Sequence, residues 1–156
     1  MGMTDPRSIT IPPEAEAVMR AHAEVTYPNE ACGALVGTGD GVNEPWMVTS
    51  AEPAPNEFDG GHHNRYLIAP AFQVQVERSA LAAGLDLIGF YHSHPEEQAR
   101  PSEYDRSHAW AGYAYRVYSV HAAKVVDGNT FTLDAPEGTF VPVADLPASP
   151  QQQTES

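Results

Sequence analysis

Residues 89–105 read GFYHSHPEEQARPSEYD, two histidines with one residue between them and, after ten further residues, an aspartate. On a β-strand, side chains alternate faces, so His92 and His94 project to one side and Ser93 to the other. Two imidazoles on one face can chelate a single ion. A third ligand has to come from elsewhere, and Asp105 stands where the chain, having turned through PEEQARPS, re-enters as a helix. Two histidines, one carboxylate and an open fourth position suit catalytic zinc. Plainer readings exist. A paired histidine at a strand end is commonly a surface or core residue, and Ser102 followed by Asp105 is an N-cap signature, a capping box with Asp in place of Glu. The cap and the ligand are compatible, because a helix start facing a strand end is a good place from which to aim a carboxylate.

The flanking sequence supplies elements to position these groups. SITIPP reads as a short extended start, and EAEAVMRAHAEVT as a first helix over residues 14–26, opened by proline and early acid. Pro28 ends it. ACGALVG is a short apolar run bounded by glycine, a buried strand with Glu30 at its mouth. TGDGVNE is a turn and PWMVTS the returning strand. Residues 51–65, AEPAPNEFDGGHHNR, form the longest aperiodic stretch, a loop of a length that is usually functional or mobile. A second helix runs through PAFQVQVERSALA and closes on Gly84. LDLIGFYHSH is the β-rich run that ends in the histidines, and SEYDRSHAWAGY begins a third helix. Strands follow at YRVYSV, AKVVD, TFTLDAP and TFVPV, with DGN separating the second from the third. The alternation predicts an α/β sandwich with a mixed sheet and helices against it.

Composition narrows the partners. The chain has 156 residues, 21 of them acidic and 8 basic, for a formal charge of −13; Lys124 is the single lysine. No basic stripe is available to neutralise a phosphate backbone, which argues against nucleic acid. The lone Cys32 precludes an internal disulfide, and neither an apolar leader nor a run of 18 apolar residues is present. A cytoplasmic protein with no membrane partner is expected. The size suits one domain, residues 8–145, and the polar tail 147–156 reads as disordered.

The full pattern is Glu30 ahead of x-Cys-Gly-x-Leu-x-Gly, then His-Ser-His-Pro, five residues, Pro-Ser, two residues, Asp105. In this the chain resembles the JAMM (MPN-plus, Mov34-type) zinc metallopeptidases in their stand-alone prokaryotic form. The resemblance spans roughly residues 13–135. It implies an α-β-α sandwich with a mixed, curved sheet, cytidine-deaminase-like, and one zinc per chain on His92, His94 and Asp105. It also implies that Glu30 is the base toward the zinc-bound water and the acid toward the leaving amine, and that Ser102 donates to the oxyanion. The substrates it implies are peptide or isopeptide bonds at the C-terminus of ubiquitin-like proteins, here of the sulfur-carrier type, cleaved by a monomer or homodimer. An extended carrier tail is expected to pair along an exposed strand.

Two rival readings stay open: a non-catalytic MPN-type scaffold, and another zinc hydrolase on the same fold. Among the remaining reactive letters, Cys32 reads as a small core side chain, because no base adjoins it. His62 and His63 read as solvated loop residues. His108 is either a helix-surface residue or a neighbour of the ligands.

Overall fold

The computed structural model describes residues 7–62, 65–134 and 138–147. The N-terminal strand β1 (Ser8–Thr10) leads through Pro12 and Pro13 into α1 (Pro13–Thr26), where proline at the first helical position and Glu14 and Glu16 in the first turn suit the helix N-terminus. Two long antiparallel strands follow, β2 (Cys32–Thr38) and β3 (Trp46–Ala54). Helix α2 (Pro70–Ala82) ends at Gly84, whose φ of +76° only glycine adopts without strain. The histidine-bearing strand β4 (Asp86–Pro95) comes next, then a single helical turn α3 (Glu103–Ser107), and finally β5 (Ala114–His121), β6 (Lys124–Asp134) and β7 (Thr139–Leu146).

The sheet order is β1-β3-β2-β4-β5-β6-β7, with β4–β5 parallel and β2 antiparallel to both its neighbours. Strand β1 also lies beside β7, so the curvature of the expected mixed sheet goes as far as closure. One apolar cluster draws side chains from all seven strands and from Ala15, Met19 and Ala23 of α1; this is the inner face, and α1 is the helix it wraps. The opposite face of β2 and β4 carries Cys32, Ala34, Val36 and Phe90, which α2 covers with Val76 and Ala80. The α-β-α layering follows from these two clusters.

A bulge lets β4 serve both. Leu35 pairs with Gly89 but Val36 pairs with Leu87, so Ile88 is an extra residue. Ile88 therefore joins the inner cluster, while Leu87 and Phe90 pack toward α2, and the alternation that follows aims His92 at the α2 side.

Two expectations about the C-terminal half need correction. The separate strands expected at AKVVD and TFTLDAP are, over Lys124–Asp134, one continuous strand, β6, that runs through Asp127-Gly128-Asn129 with a bulge near Val126. The third helix is only five residues long, and Trp110 and Gly112 belong to the turn after it. The expected tail falls, from residue 148 on, outside the described residues.

Candidate metal centre

The histidines reach the site because β4 outruns β2. His92 pairs with Cys32 on one side and Val117 of β5 on the other, whereas His94 pairs only with Ser119 of β5. Beyond the start of β2, the edge of β4 is taken by Ala31, whose carbonyl accepts from Ser93 N–H at 3.0 Å and whose N–H donates to Ser93 Oγ at 2.8 Å. Glu30 is thereby set beside the histidines. Asp105 arrives from α3 in the predicted cap: Ser102 Oγ accepts from Asp105 N–H at 3.1 Å, and Asp105 Oδ2 accepts from Ser102 N–H at 2.8 Å.

The three expected ligand atoms converge. His92 Nε2 and His94 Nε2 are 3.1 Å apart, and Asp105 Oδ2 is 3.0 Å from each. Three ligands of a tetrahedral zinc with bonds of roughly 2.0–2.1 Å stand about 3.3–3.4 Å apart, so the triangle has only to widen by a few tenths of an ångström. His94 Nδ1 faces the Gln98 carbonyl at 3.0 Å. An acceptor there favours a ring proton on Nδ1, which would free the Nε2 lone pair for an ion in the triangle. Glu30 offers a carboxylate oxygen within 4.8 Å of ligand atoms of both histidines, and these three buried groups by themselves could hold an ion. Asp105 Oδ2, at 3.0 Å from both rings, is a second candidate for the third position, with Glu30 at the side of the triangle. The donor set fits a metal: two imidazoles, one carboxylate, and a second carboxylate adjacent.

Electrostatics separates the two acids. Glu30 is 4% exposed, and its Oε1 is a buried atom with no hydrogen-bond partner among the described residues. Burial, reinforced by the Asp105 charge and opposed by His94 and Arg65, pushes its carboxyl up to about 8. Burial acts on Asp105 in the same direction, yet the His92 charge and hydrogen bonds from His92, His94 and the Ser102 N–H hold it well below the usual carboxylate range. His92 is pushed down by burial, against the pull of Asp105. His94 is also buried, but Asp105 and Glu30 raise it. Ser102 is exposed, and its hydroxyl, having accepted from Asp105 N–H, has a proton to donate outward.

Several contacts around the site have no signal in the sequence. The Tyr66 ring stacks on His92 with centroids 4.6 Å apart at 22°, and the Arg65 guanidinium lies over Tyr104 at 4.5 Å. His62 is not a solvated loop residue: it is half-buried, its Nε2 meets the Phe58 carbonyl at 2.6 Å, and its own carbonyl accepts from Glu30 N–H at 2.6 Å. His63 lies outside the described residues. His108 is exposed and stacks on Tyr104. Cys32 is fully buried, its thiol pushed up to about 12 by burial first and then by Glu30 and Glu57, which matches a core side chain. Through His92 the ligand strand is paired on both sides, so it offers no free edge there for a carrier tail.

A mixed sheet wrapped on one helix, with a His-x-His strand end, a capped aspartate and a buried glutamate brought together beside it, defines a domain of the JAB/MPN type. Comparison with known proteins agrees. The profile of the prokaryotic homologs of the JAB domain matches residues 12–134, and the chain belongs to this family. Over 93 residues it is 39% identical to a desampylase of Haloferax volcanii, an alignment covering 59% of this chain and 63% of that protein. Over 98 residues it is 32% identical to the human Deubiquitinase MYSM1, covering 63% of this chain and 11% of the relative. The chain thus spans less than two thirds of the length of either. Among solved structures, that of a protein from Desulfitobacterium hafniense superposes with a TM-score of 0.77 at 26% identity, covering 90% of this chain and 93% of the other. A JAB1/MPN domain protein from Archaeoglobus fulgidus shares the fold at a TM-score of 0.50 and 16% identity, covering 89% and 98%. No helix among the described residues is long and apolar enough to cross a membrane.

Proposed function

We propose that the chain is a zinc-dependent metallopeptidase that hydrolyses peptide or isopeptide bonds at the C-terminus of ubiquitin-like proteins of the sulfur-carrier type, acting in the cytoplasm through the domain 8–145. The observation that carries this reading is the convergence of His92 Nε2, His94 Nε2 and Asp105 Oδ2 within 3.0–3.1 Å of one another, with the Glu30 carboxylate beside them. The desampylase and deubiquitinase relatives support the substrate class. His92, His94 and Asp105 would hold one zinc. When bound there, the ion supplies Lewis acidity toward a scissile carbonyl and acidifies water.

The remaining chemistry belongs to the protein. Glu30 takes a proton from the attacking water and returns it to the departing amine. A carboxyl held up to about 8 by burial is suited to both tasks near neutral pH, and such proton transfer contributes on the order of 100- to 10,000-fold. Ser102, at the start of α3, donates a hydrogen bond from its hydroxyl to the oxyanion. Asp105 is held in place by its own cap, so ligand geometry and helix start are set by the same pair of hydrogen bonds. Tyr66 on His92 fixes a ring plane and keeps water from that side.

The test is incubation of purified, zinc-loaded chain with fusions carrying a reporter peptide after the diglycine of candidate sulfur carriers, read by intact mass. The wild type is expected to release the carrier with a free C-terminus and Glu30→Gln to release at least about 100-fold less. Equal cleavage by both removes Glu30 from the proposal. Absence of cleavage across all carriers favours the scaffold reading.

A further inference from the structure

Residues 55–69 connect β3 to α2 with no helix or strand among the described residues of that span, and Asn56 fastens this loop shut. A carboxamide has two donor hydrogens and an acceptor oxygen with two lone pairs, and here all four are used. Oδ1 accepts from the backbone N–H of Phe58 and of Leu67, each at 3.1 Å, while Nδ2 donates to the carbonyls of Arg65 at 3.0 Å and Glu30 at 3.3 Å. Glu57 N–H adds a bond to the Leu67 carbonyl at 2.8 Å. One side chain thus joins both ends of the loop and joins them to residue 30.

This matters because, on its other side, only the two Ala31–Ser93 bonds of the neighbouring residue hold Glu30 among the described residues. It precedes β2 in irregular backbone, outside the ladder, and its carboxylate Oε1 has no partner among the described residues. Where the carboxylate sits is set by where its backbone sits. The backbone N–H is taken by His62 and the carbonyl by Asn56, both on the clasped loop. That same loop presents Tyr66 to His92 and Arg65 to Tyr104.

We propose that Asn56 is a positioning residue, whose carboxamide holds Glu30 at the metal centre through the loop backbone and sets the geometry of proton transfer. The inference rests on the reading of Glu30 as proton carrier given above. It predicts that the cost of losing Asn56 falls on turnover and passes through Glu30.

The experiment uses the full zinc-loaded chain, a carrier fusion as substrate, and amide hydrogen exchange on the same preparations. Asn56→Ala removes all four bonds. Asn56→Asp keeps an acceptor for Phe58 and Leu67 but sets an oxygen against the two carbonyls, and it serves if the alanine variant does not fold. In both, exchange at the Glu30 amide is expected to rise at least about tenfold while amides inside β2 stay protected. In the aspartate variant Phe58 and Leu67 keep their protection. Turnover is expected to fall about 10- to 100-fold with KM within about twofold and one zinc retained. In a Glu30→Gln background, Asn56→Asp is expected to make no further difference to the residual rate.

Unchanged exchange at Glu30 in both variants overturns the clasp. A turnover loss of equal factor in the Glu30→Gln background overturns action through Glu30 and leaves Asn56 a stability residue. A wild type that turns over no carrier fusion overturns both this inference and the peptidase reading, and it is told apart from failure of the clasp because the exchange measurement needs no turnover.

Discussion

Substituting Glu30 by glutamine in metal-free protein should stabilise it, and increasingly so as pH rises. The carboxyl titrates at about 8 in the fold against an ordinary 4.5, principally because burial disfavours its charge. The sign follows from proton linkage: between the two values the folded state holds a proton that the unfolded chain has released, so stability falls with rising pH. The contribution is fully present below about 4.5, declines by roughly 1.4 kcal/mol per pH unit, and is gone above about 8, a total on the order of 5 kcal/mol. Glu30 is 4% exposed, so solvent screening takes little from this. Against a whole-domain stability of roughly 5–15 kcal/mol the effect is large. Glutamine keeps the shape of the neutral acid and has no proton to lose. Urea unfolding in the presence of a chelator at pH 5, 6, 7 and 8 measures the difference, with a constant m-value as the check that only stability has changed. The two proteins are expected to be closest at pH 5, with the variant ahead by several kcal/mol at pH 8. The other titrating groups are present in both, and of these Glu30 itself shifts His94 and Cys32 only as a secondary cause. Curves that run parallel over that range would refute the assignment of a buried, proton-holding carboxyl to residue 30.

Metal uptake separates the ligands from the base: His92→Ala and Asp105→Ala are expected to lose the single zinc by elemental analysis, whereas Glu30→Gln keeps it. For Ser102→Ala, zinc is retained and turnover falls by roughly 100- to 1,000-fold, the usual cost of an oxyanion donor, together with about 1 kcal/mol from the lost cap. A melting shift with unchanged turnover would leave Ser102 the cap alone. Gly33→Ala places a Cβ 2.3 Å from the Tyr91 ring and 2.6 Å from the Glu52 carbonyl, so unfolding measurements should show a loss of about 1–3 kcal/mol, with the backbone contact preventing escape.

The parts of the site that are close in sequence, or carried by a periodic element, are legible in the amino-acid sequence itself. The i, i+2 spacing of His92 and His94 forces a shared face on a strand, and Ser102 with Asp105 specifies a cap whose two hydrogen bonds form as expected. Glu30 carries no such signal. It stands in irregular backbone, and only the family pattern picks it out from the other carboxylates. Its surroundings are equally silent, because Asn56, His62 and Tyr66 act through backbone hydrogen bonds and ring stacking across a stretch with no repeat.

Turn chemistry misleads here for a physical reason. Asp127-Gly128-Asn129 has the composition of a hairpin turn, yet the backbone stays extended there because Gly128 is used for close approach: a Cβ at that position would lie 2.9 Å from the Tyr118 ring. The reversal happens instead at Ala122 and Ala123, with φ of +49° and +67°, residues that carry a steric penalty in the left-handed region. Tertiary contacts offset it, since the Ala122 N–H donates to Glu96 Oε2 at 2.9 Å. Glu96 itself follows β4 directly, one residue past Pro95, at a φ of +59°. The hairpin at residues 121–124 is therefore anchored to the end of the strand that carries the histidines, and the loop that leaves Glu96 is the one that delivers Gln98 to His94 and Asp105 to the triangle. A glycine in the place of Ala122 or Ala123 would relieve the local strain and keep that anchor, because the bond to Glu96 is made by a backbone N–H that glycine also carries.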